Sequence, residues 1–281
     1  MARTLPIGIT MFATDAAIDP VQLAREVEGR GFSSLYLPEH THIPTSRRTP
    51  PPTGDAVLPE EYKRTLDPFV ALSAAAAVTS RIQLGTGVCL VAQRDPIVTA
   101  KAVATLDRIA GGRFVFGIGF GWNREEMDSH GVAFRTRRAR VREHVLAMQR
   151  LWTDERAAFQ GEFVRFEESW SWPKPLQQPR PPILIGGAAG PQLFAHVAEY
   201  ADGWIPIGGA GVREALRDLR SALEAAGRDP ATLQVVPFGS LPDPGKLAYY
   251  ASIGVTEVVL RLPCAGADVV LPLLDQYAKL L

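Results

Sequence analysis

Residues 82–117 read IQLGTGVCLVAQRDPIVTAKAVATLDRIAGGRFVFG, and this stretch decides the fold. The apolar runs at its two ends are typical of strands buried on both faces of a parallel sheet. Between them Asp95-Pro96 predicts a helix start, because Asp caps the first-turn amides and Pro loses no hydrogen bond there. Gly111-Gly112 predicts the helix end. The stretch is therefore a strand–helix–strand unit.

The same alternation runs through all 281 residues. Strand-like apolar runs occur at Leu5–Thr10, Ser34–Leu37, Ile82–Leu90, Phe114–Gly117, Ile183–Gly186, Gly203–Pro206, Gln234–Phe238 and Glu257–Leu262. Helix patterns lie between them. These eight units predict one domain over residues 1–281, a single (β/α)8 TIM barrel of the α/β class. An open doubly wound sheet is the alternative.

Two segments interrupt this rhythm and predict insertion loops, one after the second strand and one before the fifth. Residues 41–66 contain five prolines, and residues 159–182 contain five prolines with Trp170 and Trp172. A loop that directly follows a barrel strand lies at the catalytic face. We therefore interpret residues 41–66 as a lid over the barrel mouth.

The charge balance argues against nucleic acid and membrane as partners. Lys plus Arg and Asp plus Glu are 30 each, so no overall basic field is present. Residues 135–142 nevertheless hold five arginines in eight positions at the start of a predicted helix. A solvated helix face, a nucleic-acid site and a site for the acidic tail of a cofactor are the three interpretations of this cluster.

The two cysteines, Cys89 and Cys264, lie in apolar stretches and do not make a disulfide framework. The first residues carry no signal-peptide pattern, and no uncharged apolar segment reaches the roughly 18–20 residues of a membrane helix. We therefore expect a cytoplasmic protein.

Glu39 and His40 stand at the end of the second predicted strand. A carboxylate beside an imidazole at that position suits proton transfer. A loop histidine fixed by hydrogen bonds is the alternative. His40-x-His42 also invites a metal site, but the ends of strands five and eight offer no further ligands, so no metal is predicted.

Glycines are concentrated at three strand ends, within Leu84–Val88, Gly117–Gly121 and Gly186–Gly190. Glycine in a strand commonly marks a bulge or a close approach of a ligand to the backbone. Gly117 and Gly119 occupy alternate positions and so lie on one face of the strand. Without side chains there, this face is predicted to leave room for a flat ring. A glycine-rich turn that opens a helix also suits a phosphate. Together the three ends predict a large, flat, phosphate-bearing cofactor.

Longer motifs resemble the luciferase-like oxidoreductases. They are GRFVFGIGFGWN at residues 112–123, with Glu126 and Gly131 following, and WPKPLQQPRPPILIGG at residues 172–187. The similarity runs from strand one to about Gly208. PEHTHIP at residues 38–44 and QRDP at residues 93–96 are similar to an actinobacterial-type subgroup that is presumed to use the deazaflavin F420.

The resemblance implies a barrel with the cofactor ring across its strand ends. It places a cis peptide that does not involve proline at Gly87-Val88, under the ring. Asn123 would contact the ring or its side chain, Thr86 would lie nearby, and the ribityl phosphate would bind the three residues Gly186, Gly187 and Ala188. Many F420 enzymes of this fold carry Asp-His where this chain has Glu39-His40.

The predicted function is hydride transfer between F420 and a small organic substrate. His40 would donate or accept the proton, and Glu39 would set its tautomer. An FMN-dependent monooxygenase fed by a reductase and a barrel that binds a ligand without turnover are the alternatives. A flavin or F420 reductase is a possible partner, and a homodimer is expected from the resemblance.

Overall fold

The computed structural model describes residues 5–51, 54, 57–207 and 211–281. Its strands are β1 (Ile7–Thr10), β2 (Ser34–Leu37), β3 (Gln83–Thr86), β4 (Phe114–Gly119), β5 (Ala157–Gln160), β6 (Arg165–Ser169), β7 (Ile183–Gly186), β8 (Gly203–Ile205), β9 (Gln234–Val235), β10 (Phe238–Ser240) and β11 (Val258–Arg261). Nine of these form a parallel sheet in the order β10-β11-β1-β2-β3-β4-β7-β8-β9. The other two, β5 and β6, form an antiparallel hairpin.

The sheet closes on itself because β9 and β10 are two parts of one chain segment at opposite edges. β9 pairs with β8, and β10 pairs with β11. Between them Val236 N donates to Trp204 O at 3.0 Å, and Val259 N donates to Pro237 O at 2.9 Å. One strand, interrupted at Pro237, therefore joins both edges. The predicted eight-position barrel is confirmed, and the open doubly wound sheet was wrong.

Helices cover the outside of the barrel. They are α1 (Pro20–Gly29), α2 (Pro68–Ala76), α3 (Pro96–Ile109), α4 (Arg124–Ser129), α5 (Arg137–Thr153), α6 (Pro191–Tyr200), α7 (Val212–Ala225), α8 (Pro244–Ile253) and α9 (Ala267–Tyr277). The predicted Asp-Pro starts are confirmed, since Asp19, Asp67 and Asp95 each accept a hydrogen bond from a first-turn amide.

The apolar core has two layers, as a barrel covered by helices requires. The larger layer lies between the strands and the helices. The smaller one fills the barrel interior. Seven buried side chains meet there, with Val88 packed against them, namely Tyr36, Val115, Leu184, Ile205, Val236, Phe238 and Val259. The interior is therefore filled by side chains up to the level of Val88.

The third predicted strand, Ile82–Leu90, was too long. Regular pairing in β3 ends at Thr86, and the chain resumes contact with β4 at Cys89, whose amide donates to Gly117 O at 2.8 Å. The Gly87–Val88 peptide between them is cis, as the resemblance implied. The chain therefore bulges at the end of β3 and turns the Val88 side chain into the barrel.

The predicted insertion before the fifth barrel strand contains a β-hairpin that the sequence analysis did not anticipate. β5 and β6 form a hairpin whose turn is held by Glu143, which accepts hydrogen bonds from the amides of Glu162, Phe163 and Val164. The polar sequence RFEES of β6 is mostly exposed, so it lacks the apolar signature that identified the barrel strands.

A buried carboxyl group closes the base of the barrel. Glu257 is 7% exposed and accepts hydrogen bonds from Ser33 Oγ at 2.5 Å and Ser34 Oγ at 2.6 Å. Tyr36 OH donates to its other oxygen at 3.3 Å. Burial raises the pKa of Glu257 above its usual value, against the opposing effect of these three hydroxyl groups.

Replacing Glu257 by glutamine is therefore expected to change how stability depends on pH. Because the folded state holds the proton more tightly, this group contributes stability fully below about pH 4.5, and the contribution is lost as pH rises through the folded pKa. E257Q keeps an acceptor for the serines and should cost no more than about 1 kcal/mol at low pH. Urea unfolding across this range should show a smaller decline for E257Q; an identical decline in both proteins would contradict the assignment.

Candidate active site

A cavity of about 240 Å³ opens at the carboxyl ends of the barrel strands. Its wall is largely apolar and includes Phe12, Tyr62, Val88, Phe238 and, as its charged member, Arg261. In a barrel this end carries the catalytic groups. The cavity is therefore the candidate site. A groove of about 1060 Å³ between α6 and α7 lies outside the barrel and reaches Ala189 and Gly190 in the turn after β7.

His40 stands beside this cavity, directly after β2. Its Nδ1 lies 2.8 Å from Glu126 Oε2, and both residues are buried, with exposures of 9% and 0%. The rings of Tyr62 and Trp122 pack against the imidazole at centroid distances of 5.3 and 5.7 Å. Because a carboxylate only accepts, we assign the Nδ1 proton to His40, which makes Nε2 the nitrogen for exchange with a substrate.

Glu39 does not hold His40, contrary to the prediction. Glu39 Oε2 accepts from Leu90 N at 2.7 Å, and Oε1 accepts from Arg94 Nε at 2.5 Å. Arg94 also binds Asp67 at 2.7 Å. Neighbouring residues of an extended segment point to opposite sides, so Glu39 and His40 face different surroundings. Glu39 therefore ties the end of the β3 bulge to α2.

Sequence reasoning missed Glu126 as the partner of His40, 86 positions away. A signal was present, since Glu126 belongs to the family-like motif and lies in the first turn of α4, three residues after the capping Asn123. Only the fold brings this turn over the end of β2.

The two carboxylates are expected to respond differently to substitution. E126Q keeps the volume but weakens the hold on the His40 tautomer, so kcat should fall by about 10- to 100-fold with KM little changed. E39Q removes a charged acceptor from the Leu90 and Arg94 contacts, so it should lower the melting temperature instead. Steady-state kinetics and thermal unfolding of both variants check this, and a larger kcat loss in E39Q would reverse the assignment.

The floor of the cavity is made by Val88. A Cβ atom at Gly119 would lie 2.5 Å from Val88 Cγ2, and one at Gly186 would lie 3.0 Å from Val88 Cγ1. The prediction that Gly119 leaves room for a ring was therefore wrong in its direct form, because the Val88 side chain takes that room. These two glycines instead allow the bulge to enter the barrel and form a flat apolar floor.

Thr86 and Asn123 have different roles in the structure. Thr86 is fully buried, and its hydroxyl donates to Gly117 O at 2.6 Å, within the barrel wall. Asn123 is 1% exposed, and its Oδ1 accepts weakly from Glu126 N at 3.5 Å. Asn123 Nδ2 has no hydrogen-bond partner among the residues that the structure describes. Of the two, Asn123 is the one with a donor to offer a ligand.

The amides available for a phosphate lie further along the turn after β7 than the resemblance implied. Gly186 lies in β7, and Gly187 N makes a long bond of 3.4 Å to Ile205 O. The amides of Ala188, Ala189 and Gly190 lack an acceptor within the described part of the chain, and Gly190 opens α6. These three amides, rather than those of Gly186 and Gly187, are available for an anion.

The described part of the 41–66 segment covers one side of the cavity. Residues 52–53 and 55–56 lie outside the described residues. Tyr62, in a short 3-10 turn, lines the cavity and packs on His40.

Two anchors hold this segment in place. Glu61 pairs with Arg261 across the cavity at 2.9 Å. Glu125 on α4 accepts from Thr49 Oγ1 at 2.7 Å, and this bond, together with backbone amides that include that of Arg48, lowers the pKa of Glu125 to about 2. Both anchors connect the segment to barrel elements, as expected for a lid.

The other two histidines of the region form a separate pair. The rings of His42 and His130 lie 5.4 Å apart, and both contact Thr41 Oγ1. No group of three or more His, Cys, Asp or Glu residues within the described ranges has the arrangement of a metal site. No helix in these ranges is long and apolar enough to cross a membrane.

Residues 11–241 match the family model described as luciferase-like monooxygenase. The chain belongs to the luciferase-like monooxygenase family. The resemblance stated from the sequence is thereby confirmed, and the protein is an oxidoreductase. An uncharacterised protein of Mycobacterium tuberculosis is 47% identical over 264 residues, 93% of each chain. An F420-dependent hydroxymycolic acid dehydrogenase of the same organism is 33% identical over 228 residues, 79% of this chain and 57% of that protein.

Two solved structures share the fold over nearly the whole chain. A monooxygenase from Streptomyces bottropensis superposes with a TM-score of 0.77 at 21% identity, covering 99% of this chain and 98% of that one. An F420-dependent secondary alcohol dehydrogenase, in complex with an F420–acetone adduct, superposes with a TM-score of 0.74 at 17% identity and the same coverage. At these identities the likeness concerns the fold.

Proposed function

We propose that this protein is an F420-dependent oxidoreductase that transfers a hydride between the deazaflavin and a small organic substrate. The observation that carries the proposal is the buried His40–Glu126 pair beside an apolar cavity at the strand ends. A buried imidazole held at one nitrogen by a carboxylate suits general acid–base catalysis.

The residues around the cavity fit a flat cofactor with an anionic side chain. The bulge at Gly87 and Val88 supplies an apolar floor for the ring. Asn123 Nδ2 is a buried donor without a partner among the described residues, which a ring carbonyl or side-chain oxygen would satisfy. The amides from Ala188 to Gly190 would hold a phosphate.

The cofactor, when bound, supplies a carbon centre that accepts or returns a hydride. The protein supplies the proton transfer, orientation and a dry site. In alcohol oxidation His40 Nε2 would take the proton that leaves the substrate hydroxyl, while a bound cofactor would accept the hydride from the same carbon. In carbonyl reduction His40 would return the proton and the cofactor would return the hydride. Tyr62 and Phe12 exclude water above the floor.

Two observations favour a deazaflavin over FMN. The relative that covers 79% of this chain at 33% identity is named as F420-dependent. The PEHTHIP segment at residues 38–44 resembles the F420 subgroup, and its histidine is the one that the fold buries against Glu126. The apolar wall suits a substrate with a hydrocarbon body around its carbonyl or hydroxyl group.

An FMN-dependent monooxygenase is the second candidate. The family model is described as luciferase-like monooxygenase, and the Streptomyces structure is named as a monooxygenase. Both descriptions favour this candidate. Such an enzyme would need reduced FMN from a partner reductase and would consume oxygen.

One assay separates the two candidates. The protein is incubated with a panel of apolar alcohols and ketones, with F420 in both redox states, and separately with reduced FMN under air. Substrate-dependent change in the F420 absorbance without oxygen uptake is the expected result. Oxygen uptake coupled to substrate only with reduced FMN would move the protein to the monooxygenase class.

We also propose a cytoplasmic homodimer. Val70 on α2 and Val98 on α3 are 72% and 67% exposed on neighbouring helices, and exposed apolar patches commonly mark interaction surfaces. Light scattering should give twice the 30.5 kDa chain mass. The double variant Val70→Glu, Val98→Glu should give the single mass; a monomeric parent protein would contradict the proposal.

A further inference from the structure

Four arginines without a carboxylate partner lie beside the end of β4. Arg124 begins α4, and Arg137, Arg138 and Arg140 lie in the first turn of α5. In the part of the chain that the structure describes, none of the four forms an ion pair. Arg142, one turn further along, does pair with Glu199. The four are called the arginine strip below.

The guanidinium groups of the strip are stacked on aromatic rings. Arg137 and Arg124 lie 3.6 and 4.3 Å from the Phe134 ring centre, and Arg138 lies 4.4 Å from that of Phe120. Stacking of this kind fixes the planes of the guanidinium groups.

Several nitrogen atoms of the strip are buried without an acceptor. They are Arg137 Nε, Arg138 Nη1 and Arg140 Nε, none of which has a hydrogen-bond partner among the described residues. A buried donor without a partner costs free energy, and a cationic one costs more. The positive charges also act on one another, since burial and the charges of Arg138 and Arg124 lower the pKa of Arg137. An anion bound at the strip would accept from these donors.

The strip lies beside α6, the helix that follows the amides proposed for the phosphate. Arg138 stacks on Phe120, whose ring lies 5.2 Å from that of His196 on α6. Gly190, the last of the three available amides, opens this helix. Arg140 stacks on Phe163 at 5.0 Å, at the hairpin turn further out. The cations thus extend from the neighbourhood of α6 toward the hairpin turn.

We infer that the arginine strip binds the anionic side chain of the cofactor beyond its ring. We infer further that it favours a side chain with carboxylates in addition to the phosphate. This inference rests on the proposed function, because F420 ends in a glutamate-containing tail, whereas FMN ends in a single phosphate. Four cations exceed what one phosphate needs, and guanidinium groups bind carboxylates and phosphates through paired charge-assisted hydrogen bonds.

The test measures binding rather than turnover. Three probes are titrated by fluorescence into the whole protein: the deazaflavin core without phosphate, F420 without glutamates, and F420 with several glutamates. We expect the last to bind at least about tenfold more tightly than F420 without glutamates, with this difference weakened by added salt.

Substitutions within the strip test which arginines cause the preference for glutamates. R137Q/R140Q should abolish the preference for glutamates, and R138Q should reduce it. Arg135→Gln is the matched control, since Arg135 belongs to the same sequence cluster but is exposed. Binding of the core probe should be equal in all variants, which shows that each is folded.

The possible failures are distinguishable. Equal binding of F420 with and without glutamates overturns the inference while leaving the proposed function intact, because the ring and phosphate sites do not depend on the strip. A glutamate preference that survives in R137Q/R140Q also overturns it. If none of the three probes binds, the proposed function fails together with the inference.

Discussion

Replacing His40 by asparagine is expected to lower kcat by about 10²- to 10⁴-fold, the usual contribution of a positioned acid–base group. Asparagine can still donate a hydrogen bond to Glu126 Oε2 from the place of Nδ1, but it lacks the counterpart of Nε2. Cofactor binding should stay within about threefold of the parent protein, because His40 stands beside the floor rather than in it. Steady-state kinetics and a binding titration on the same preparation check both parts.

His42→Asn is the matched control for His40→Asn. His42 lies two residues further along, is exposed, and belongs to the pair with His130. The turnover of the His42→Asn variant should remain near that of the parent protein. Equal losses in the two variants would remove the proton-transfer role from His40. A protein without any turnover to lose would instead be the ligand-binding barrel kept open from the sequence.

Replacing Gly119 by alanine is expected to damage the cavity floor. The new Cβ would lie 2.5 Å from Val88 Cγ2, so Val88 must move. Overpacking of this kind costs about 1–3 kcal/mol, which corresponds to roughly 2–12 °C in melting temperature for a chain of this size. Cofactor affinity should fall at least about tenfold, since the same shift raises the floor under the ring.

A second substitution tests the cause of the Gly119→Ala effect. Val88→Ala removes the methyl groups that the new Cβ meets, so the double variant should regain much of the stability lost in G119A. The four melting temperatures form a double-mutant cycle, in which a favourable coupling energy is expected. Additive losses would mean that Gly119 and Val88 act independently, and that the floor is made in another way.

The barrel was predictable because its signals are local and repeated. Apolar strand runs and Asp-Pro helix starts each report on a few neighbouring residues, and Asp19, Asp67 and Asp95 cap their helices as the sequence indicated. The β5–β6 hairpin was missed because it lies outside the barrel. Its strands are polar, and its turn depends on Glu143 from a separate helix.

The site was predictable only in part, because its contacts join distant segments. Position at a strand end identified His40, and family-like motifs placed the cis peptide at Gly87–Val88. The choice between Glu39 and Glu126 as the histidine's partner depends on which side of the chain each residue faces. The role of Gly119 depends on the direction of the Val88 side chain. Neither direction is encoded in nearby residues.

Hydrogen bonding also distinguishes Thr86 from Asn123, which looked equivalent in the sequence. Thr86 and Asn123 both stand near predicted strand ends, but Thr86 donates its proton to the barrel and Asn123 keeps a donor unpaired among the described residues. Whether a side-chain donor finds an acceptor depends on carbonyl groups from other strands, here Gly117 O. Spacing along the chain cannot report it.

The central claim is that the strand-end cavity binds a deazaflavin, and a side-by-side titration with F420 and FMN tests it most directly. Trp122 lies 5.7 Å from His40, so quenching of tryptophan fluorescence should report the binding. A dissociation constant on the order of micromolar for F420, with FMN at least about tenfold weaker, is the predicted result. Tighter binding of FMN, or binding of neither, would contradict the claim.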